Sequence, residues 1–373
     1  MKQIQAFLST YTADVSGVCS ALFELGGMTV MHDASGCNST YHTHDEPRWY
    51  DMDSLVYISG LSELEAVLGD DEKLIEDTVD AAKQLHPRFI ALAGTPIPMI
   101  TGCDLPAIAR EIEARCSIPA FAAASNGIGT YVSGAGQALR LYAERFVRPA
   151  QEIRKGSVNI LGATPLDFSV NGAIRSMRRR LTEGGFSVQS VWAMGSEPDA
   201  IDLASQAEVN LVVSSVGLPA AKFLRERFGT PYVIGAPFGD LLSAKILEAL
   251  QKSARTKECC DALEIPLQSA PDTIILGESV TSRALAAALY LGYGISAQVI
   301  CPVEVPDGAA FRSCLHLEDE SDIQAALASA KRVIADPLYA PIVPKGCQFC
   351  ALPHEAYSGR IYRKQIPDLV DHI

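Results

Sequence analysis

Short apolar runs alternate along this chain with amphipathic stretches of helical spacing. RFIALAGT (88 to 95) reads as a buried strand, and EKLIEDTVDAAKQL (72 to 85) before it as a helix. A further helix is predicted over LPAIAREIEARC (105 to 116) and a further strand over IPAFAAAS (118 to 125). Strands and helices in this order form parallel sheets covered on both faces.

The pattern restarts after the charged joint RPAQEIRKGS (148 to 157). VNILGAT, FSVQSVWA, LVVSSVG and PYVIGAPFG are predicted strands, with helices over NGAIRSMRRRLTEGG and AAKFLRERFG. A third cycle runs from DTIILGES (272 to 279) through the helix RALAAALYLGYG and the strand ISAQVICPV to RVIADPL (332 to 338). The expected architecture is α/β, with three Rossmann-like units over 1–150, 151–268 and 269–373, the last including the C-terminal segment. A chain of 373 residues exceeds the size at which one core stops growing, which fits that division.

Ligands of open parallel sheets collect beyond the carboxyl ends of the strands. The turns LGAT, SSVG, GAPFG and LGES lie at such ends, so a cavity is expected where the three units meet. Ser215, Gly277 and Glu278 in these turns, with Gly36 in the turn DASG, are the candidate cofactor-binding residues. None of the turns completes GxGxxG, which gives little support to a nicotinamide cofactor.

Charge narrows the partners. A formal net charge of -13 lacks the basic footprint of nonspecific nucleic-acid binding, so small molecules and proteins are expected instead. There is no apolar run of about 18 residues and no leader of charged-then-apolar type, so the protein is expected to be cytoplasmic and without membrane contact. Ten cysteines are many for such a chain, and in a reducing compartment some are expected as metal ligands and the rest as small core residues. Cys19 follows SGV in a loop-like stretch and Cys37 follows DASG. Glycine-flanked loop thiols suit an iron–sulfur cluster, because the chain can pass close to inorganic sulfide; each is equally readable alone as a buried, unliganded cysteine.

The surroundings of these cysteines carry a resemblance. GVCSALFELGGMTVMHDASGC, the stretch from EPRWYDMDSL to TGCDLPAIAREIE, RFGTPYVIGAPFG, ILGES, IADPLY and LPHEAYSGRIY together resemble the component 1 family of nitrogenase. That family includes the nitrogenase α and β chains, their cofactor-assembly scaffold, the dark-operative protochlorophyllide reductase and a reductive cyclase acting on a nickel tetrapyrrole. The resemblance implies three Rossmann-like domains, a dimer or pseudo-dimer, a 4Fe-4S cluster at the subunit interface and a separate ATP-dependent iron–sulfur reductase as electron donor. It matches Cys19 and Cys37 to the first two cluster cysteines. The third departs from the pattern: Pro96 stands at its place in GTPIPMITGCD, and Cys103, seven residues on, is either a displaced ligand or a packing residue.

Two cysteines per chain supply the ligands of one four-iron cluster if two chains share it, as a homodimer or with a related chain. The family's molybdenum–iron cofactor is not expected, because LVVSSVGLPAAKFLRERFG has no cysteine where the α chain anchors it. His354 in CALPHEAYSG is a candidate ligand or proton donor, with a hydrogen-bonding anchor as the bland reading. Cys347 and Cys350 form a CxxC readable as a metal or redox pair, a disulfide or plain packing. His42 and His44 have metal-pair spacing, yet the adjoining Asp45, Glu46 and Arg48 point to a solvated or interface loop. Cys259 and Cys260 are expected to carry no site, and the basic run RSMRRR (175 to 180) is expected to be a solvated helix face.

The sequence thus predicts an iron–sulfur oxidoreductase subunit that receives electrons from an ATP-dependent reductase and reduces a substrate or cofactor held between its domains. A second metallocofactor or a tetrapyrrole is the expected occupant. The alternative is a noncatalytic cofactor- or tetrapyrrole-binding or assembly scaffold on the same fold.

Overall fold

A computed structural model describes residues 6–34, 46–266, 271–306, 311 and 313–373. Among these, the strands form three sheets in which every named pair is parallel. The first holds β1 (Met28–His32), β2 (Leu55–Ile58), β3 (Ile90–Gly94) and β4 (Ala120–Ala123), in the order β2-β1-β3-β4. The second holds β5 (Arg154–Leu161), β6 (Ser187–Val191), β7 (Ala207–Val212), β8 (Tyr232–Ile234) and β9 (Cys260–Asp261), in the order β6-β5-β7-β8-β9. The third holds β10 (Thr273–Leu276), β11 (Ala297–Cys301), β12 (Cys314–His316), β13 (Arg332–Ala335) and β14 (Gln348–Ala351), in the order β12-β11-β10-β13-β14.

In each sheet the chain starts in the interior and builds outward in both directions. The strand order therefore reverses beside β1, β5 and β10, and such reversals open a crevice beyond the carboxyl ends. His32, Gly162 and Gly277 stand at those three points. The three sheets and their reversals make the Rossmann-like fold that the sequence pattern predicts.

The first sheet separates two cores. Met28 and Val30 of β1 pack into a small core with Leu74, Ile75 and Ile108, under the helices Glu72–Leu85 and Leu105–Cys116. Met31 packs into the larger core, which runs through the other two units. This alternation is the period-two geometry of a strand buried on both faces.

Cys19 lies in the helix Asp14–Leu22, every residue of which is buried, and not in the loop that its Ser-Gly context predicts. The glycine has a tertiary purpose. A Cβ on Gly17 would stand 2.3 Å from the carbonyl oxygen of Tyr131, and one on Gly134 would stand 1.9 Å from that of Asp14. Two helices, Asp14–Leu22 and Tyr131–Phe146, thus cross at backbone contact distance, and the second also packs on the helix Leu218–Phe228 of the second unit.

Both ends of the chain cross unit boundaries. Glu320 accepts the amides of Ala6, Phe7 and Leu8 at 2.9 Å each, and Tyr11 meets Tyr339 through their hydroxyls at 2.8 Å. The C-terminal Asp368 and Asp371 accept from Ser176 at 2.6 and 2.9 Å. Arg179 and Arg180 of the basic run pair with Asp371, so much of that run is spent on the C-terminal segment and is not a free solvated face. Among the described residues no helix is long and apolar enough to cross a membrane.

Candidate functional site

The helix carrying Cys19 is fixed at both ends. At its start the Asp14 carboxylate accepts the amides of Val15, Asn126 and Gly127 at 2.7 to 2.8 Å, tying the loop after β4 to the helix. Burial raises the Asp14 pKa against those three amides. Toward its end, Arg48 donates to the Ser20 carbonyl at 2.7 Å and to the Ala193 carbonyl of the second unit at 3.0 Å. Glu46 and Glu24 neutralise the guanidinium at 2.6 and 2.7 Å. Glu46 and Arg48 are therefore a buried ion pair, 4% and 2% exposed, where the charged sequence predicts a solvated or interface loop. Between these anchors the Cys19 thiol is fully enclosed, and burial, reinforced by the Glu46 charge, pushes its pKa far up. That environment favours the neutral thiol.

A narrow cleft with free interior room of about 60 Å³ opens between the second and third units. Gly277 and Glu278 beyond β10, Phe238 beyond β8, Asp167, Asp336 and His354 line it with apolar side chains of the C-terminal segment. Among the described residues its wall comes from two units and not from three; the first unit reaches it from behind, where the Tyr131 hydroxyl donates to Asp167 at 2.6 Å. Asp167 also accepts from Thr164 at 2.9 Å and Ser214 at 2.7 Å. Burial, and then the Asp167 charge, raises the Tyr131 pKa and keeps that phenol a donor.

His354 caps the short helix Glu355–Ser358 by accepting the Ala356 amide at Nδ1, 3.3 Å away. Its backbone amide donates to Asp336 at 2.8 Å, and its ring stacks on Tyr357 at 4.6 Å. Its Nε2 is buried without a hydrogen bond among the described residues. The remaining candidates in the wall are already engaged. Glu278 accepts the amides of Val280, Thr281 and Ser215, capping the helix Ser279–Tyr293. Ser215 sits behind Glu278, outside the cleft lining.

Cys103 lies elsewhere. It packs against the small core, one residue before the N-cap Asp104 of the helix Leu105–Cys116. Cys19 belongs to the large core, so the two thiols stand on opposite faces of the first sheet. Cys103 donates to Asp71 at 3.7 Å, and a ring nitrogen of His32 completes a trio whose ligand atoms all lie within 4.8 Å of one another. Burial, and next the Asp71 charge, pushes the Cys103 pKa up to about 12. Cys347 and Cys350 are free thiols beside and within the edge strand β14, and Cys259 and Cys260 are free at β9. Gly36, Cys37, His42 and His44 lie outside the described residues. Tyr131 and Asp71 carry no local motif in the sequence; the pattern TPLD, a threonine with an aspartate three residues on, is the one local signal for Asp167.

Comparisons with known proteins converge. The sequence profile described as "Nitrogenase component 1 type Oxidoreductase" matches residues 16–288. One subunit of the light-independent protochlorophyllide reductase of Nostoc punctiforme is 27% identical over 195 residues, 49% of this chain and 38% of that one. Its counterpart in Prosthecochloris aestuarii is 33% identical over 130 residues, 35% of this chain and 24% of that one. The aligned stretches thus span well under half of those relatives. The solved structure titled "Nitrogenase Cp1 at pH 5" superposes with a TM-score of 0.69 at 15% identity, over 97% of this chain and 86% of that one. A second, at pH 6.5, gives 0.68 at 14% identity, over 96% and 86%.

Proposed function

The chain belongs to the nitrogenase component 1 type oxidoreductase family, and on that premise we propose that it is the electron-accepting subunit of a two-component, cytoplasmic oxidoreductase. Its electrons would come from a separate ATP-dependent iron–sulfur reductase. Its substrate or second cofactor, a metallocofactor or a tetrapyrrole, would be held between its domains at the mouth of the cleft walled by Gly277, Phe238 and His354, whose free interior of about 60 Å³ is too small to enclose a macrocycle.

Cys19 and Cys37 would hold a 4Fe-4S cluster, which when bound supplies one-electron transfer at low potential. The donor chemistry fits: Cys19 is a free, fully buried thiol on a helix anchored through Asp14 and Arg48. Burial away from water suits a ligand that must stay bonded through a change in cluster charge. Two thiolates per chain leave the cluster half-ligated, so a second chain, identical or related, would supply the rest. Cys103 stands across the first sheet from Cys19 and would take no part.

The observation that carries this reading is the fixed, enclosed position of Cys19 inside the stretch that matches the family. The test is iron and sulfide per chain after anaerobic purification. Cys19→Ser and Cys37→Ser each lose both, and Cys116→Ser keeps them; full iron in Cys19→Ser overturns the assignment. One observation favours the scaffold alternative: Glu278 and Asp336 in the cleft wall are consumed by amides and hydroxyls, which leaves few groups for proton transfer. Reoxidation of the reduced cluster by the cleft ligand separates the two, since a scaffold binds that ligand without reducing it.

A further inference from the structure

His32, Asp71 and Cys103 come from three separate elements: the carboxyl end of β1, the residue before the helix Glu72–Leu85, and the turn before the helix Leu105–Cys116. Nothing in the hydrophobic pattern requires an imidazole, a carboxylate and a thiol to converge. Their ligand atoms nevertheless lie within 4.8 Å of one another. We propose that this trio is a binding site for a single divalent transition metal of the zinc class, separate from the iron–sulfur site.

Each member is arranged as a ligand. The Nδ1 atom of His32 meets the Ser59 hydroxyl at 2.9 Å. The same hydroxyl lies 3.3 Å from the Asp33 carbonyl; with its proton directed there, it accepts from Nδ1. The other ring nitrogen, Nε2, then holds a lone pair. Orientation of a ligating imidazole by a hydrogen bond at its far nitrogen is the usual outer support of a metal site.

Asp71 occupies an N-cap position, where aspartate ordinarily accepts a backbone amide, yet its side chain makes no capping bond. Its carboxylate is turned instead to Cys103, whose thiol donates to Oδ1 at 3.7 Å. A thiol donating to a carboxylate beside a neutral imidazole is the protonated form of a three-ligand set. On binding, the Cys103 proton leaves to solvent and the cation takes its place, so that one thiolate and one carboxylate balance a charge of two. A mixed nitrogen, oxygen and sulfur set selects a borderline ion of the zinc type over calcium or magnesium, and three protein ligands leave a fourth position for water. His32 is 4% exposed, while Asp71 and Cys103 are half-buried, which leaves an entry path.

The inference stands on this geometry and does not depend on the redox reading. The full-length protein is dialysed against zinc, then against buffer, and bound zinc is counted per chain. One equivalent is expected in the wild type, with X-ray absorption showing one sulfur among nitrogen and oxygen ligands. Cys19→Ser should keep that zinc whether or not it loses iron, so the two sites fail or hold independently. Cys103→Ser and the near-isosteric Asp71→Asn should lose it, and Ser59→Ala should bind about 10- to 100-fold more weakly. Circular dichroism identifies any variant that fails to fold, and Asp71→Asn, being half-exposed, keeps the test decisive if Cys103→Ser does not fold. No retained zinc in the wild type, a sulfur-only shell, or equal binding in Asp71→Asn and the wild type would overturn the site.

Discussion

The Nε2 atom of His354 stands 3.6 Å from Oδ1 of Asp167, and neither that contact nor any other among the described residues gives it a hydrogen bond. Its Nδ1 accepts the Ala356 amide, so in the neutral ring the proton sits on Nε2, pointing at a carboxylate already occupied by Tyr131, Thr164 and Ser214. The second and third units therefore meet at the cleft with two donors unspent among the described residues, His354 Nε2 and the Tyr357 hydroxyl.

The unspent donor on Nε2 separates His354 from the engaged carboxylates Asp167, Glu278 and Asp336. His354→Asn retains a capping side chain, so the stability of the protein should change by less than about 1 kcal/mol. Binding of a tetrapyrrole probe, followed by its absorption, should weaken about two- to tenfold, the worth of one hydrogen bond. Asp167→Asn should instead lose about 1–3 kcal/mol of stability, because three hydroxyl donors then face an amide. Equal probe affinity in His354→Asn and wild type would remove His354 from the binding site.

The helix crossing beneath Cys19 gives a second prediction. Gly134→Ala places a methyl group 1.9 Å from the Asp14 carbonyl oxygen, a position that only backbone movement relieves. Gly136→Ala, two residues on, meets the Pro219 ring at 3.2 Å, and a small shift accommodates it. Gly134→Ala should be destabilised by about 1–3 kcal/mol or more and should lose iron in parallel, because the displaced helix carries Cys19. Chemical denaturation with iron analysis checks both; an unchanged midpoint in Gly134→Ala would contradict the close crossing.

Glu320 makes the N-terminal anchor sensitive to acid. Burial would raise its pKa, but the amides of Leu8, Phe7 and Ala6 outweigh that and hold the carboxyl below its ordinary value of 4.5. A carboxyl depressed by folding contributes stability above its unfolded pKa and loses it as the pH falls through the folded value. The amides of Phe7 and Leu8 should therefore be protected near neutrality and lose protection below about pH 4.5, while helix Glu72–Leu85 keeps its own. Hydrogen exchange, corrected for intrinsic rate, measures this. In Glu320→Gln the transition should be absent.

Much of the scaffold was legible in the sequence because its signals are local. The helices Glu72–Leu85 and Leu105–Cys116 have the bounds that their apolar spacing predicts, each closed by a residue in the left-handed conformation, His86 and Ser117. The turns SSVG, GAPFG and LGES stand at strand ends because parallel strands must end in such turns. Misreadings arose where a distant contact overrides local character. Gly17 looks like a loop residue until Tyr131, far along the chain, requires the close approach. Arg48 looks solvated until Glu24, 24 residues back, and Ala193, 145 residues on, enclose it. The helix Gly239–Thr256 and the edge strand β2 are not among the elements the hydrophobic pattern predicts; β2 is short and only partly buried, which weakens its local signal. Cys103 meets Asp71 across 32 positions, a distance that no motif of fixed spacing covers.

The buried Arg48 carries the last prediction. Its guanidinium, 4.7 Å over the Phe23 ring, makes contacts to Glu46, Glu24, the Ser20 carbonyl and the Ala193 carbonyl, so it links the Cys19 helix to the second unit. Arg48→Met keeps the aliphatic length but strands Glu46, which is 4% exposed, without a counter-charge. Removing one partner of a buried pair costs about 3–5 kcal/mol, whereas replacing both by apolar residues of similar volume is often neutral or stabilising. The Arg48→Met/Glu46→Leu double variant should therefore recover much of the loss seen in Arg48→Met, measured by urea denaturation as a double-mutant cycle. It should not recover the iron content, because neither replacement donates to Ser20 and Ala193 and the helix is no longer tied to its neighbour. Lysine is no substitute, since one ammonium cannot reach four acceptors spread around a planar fork. Recovery of stability together with full iron in the double variant would show that Arg48 serves the core alone and leaves the position of Cys19 unaffected.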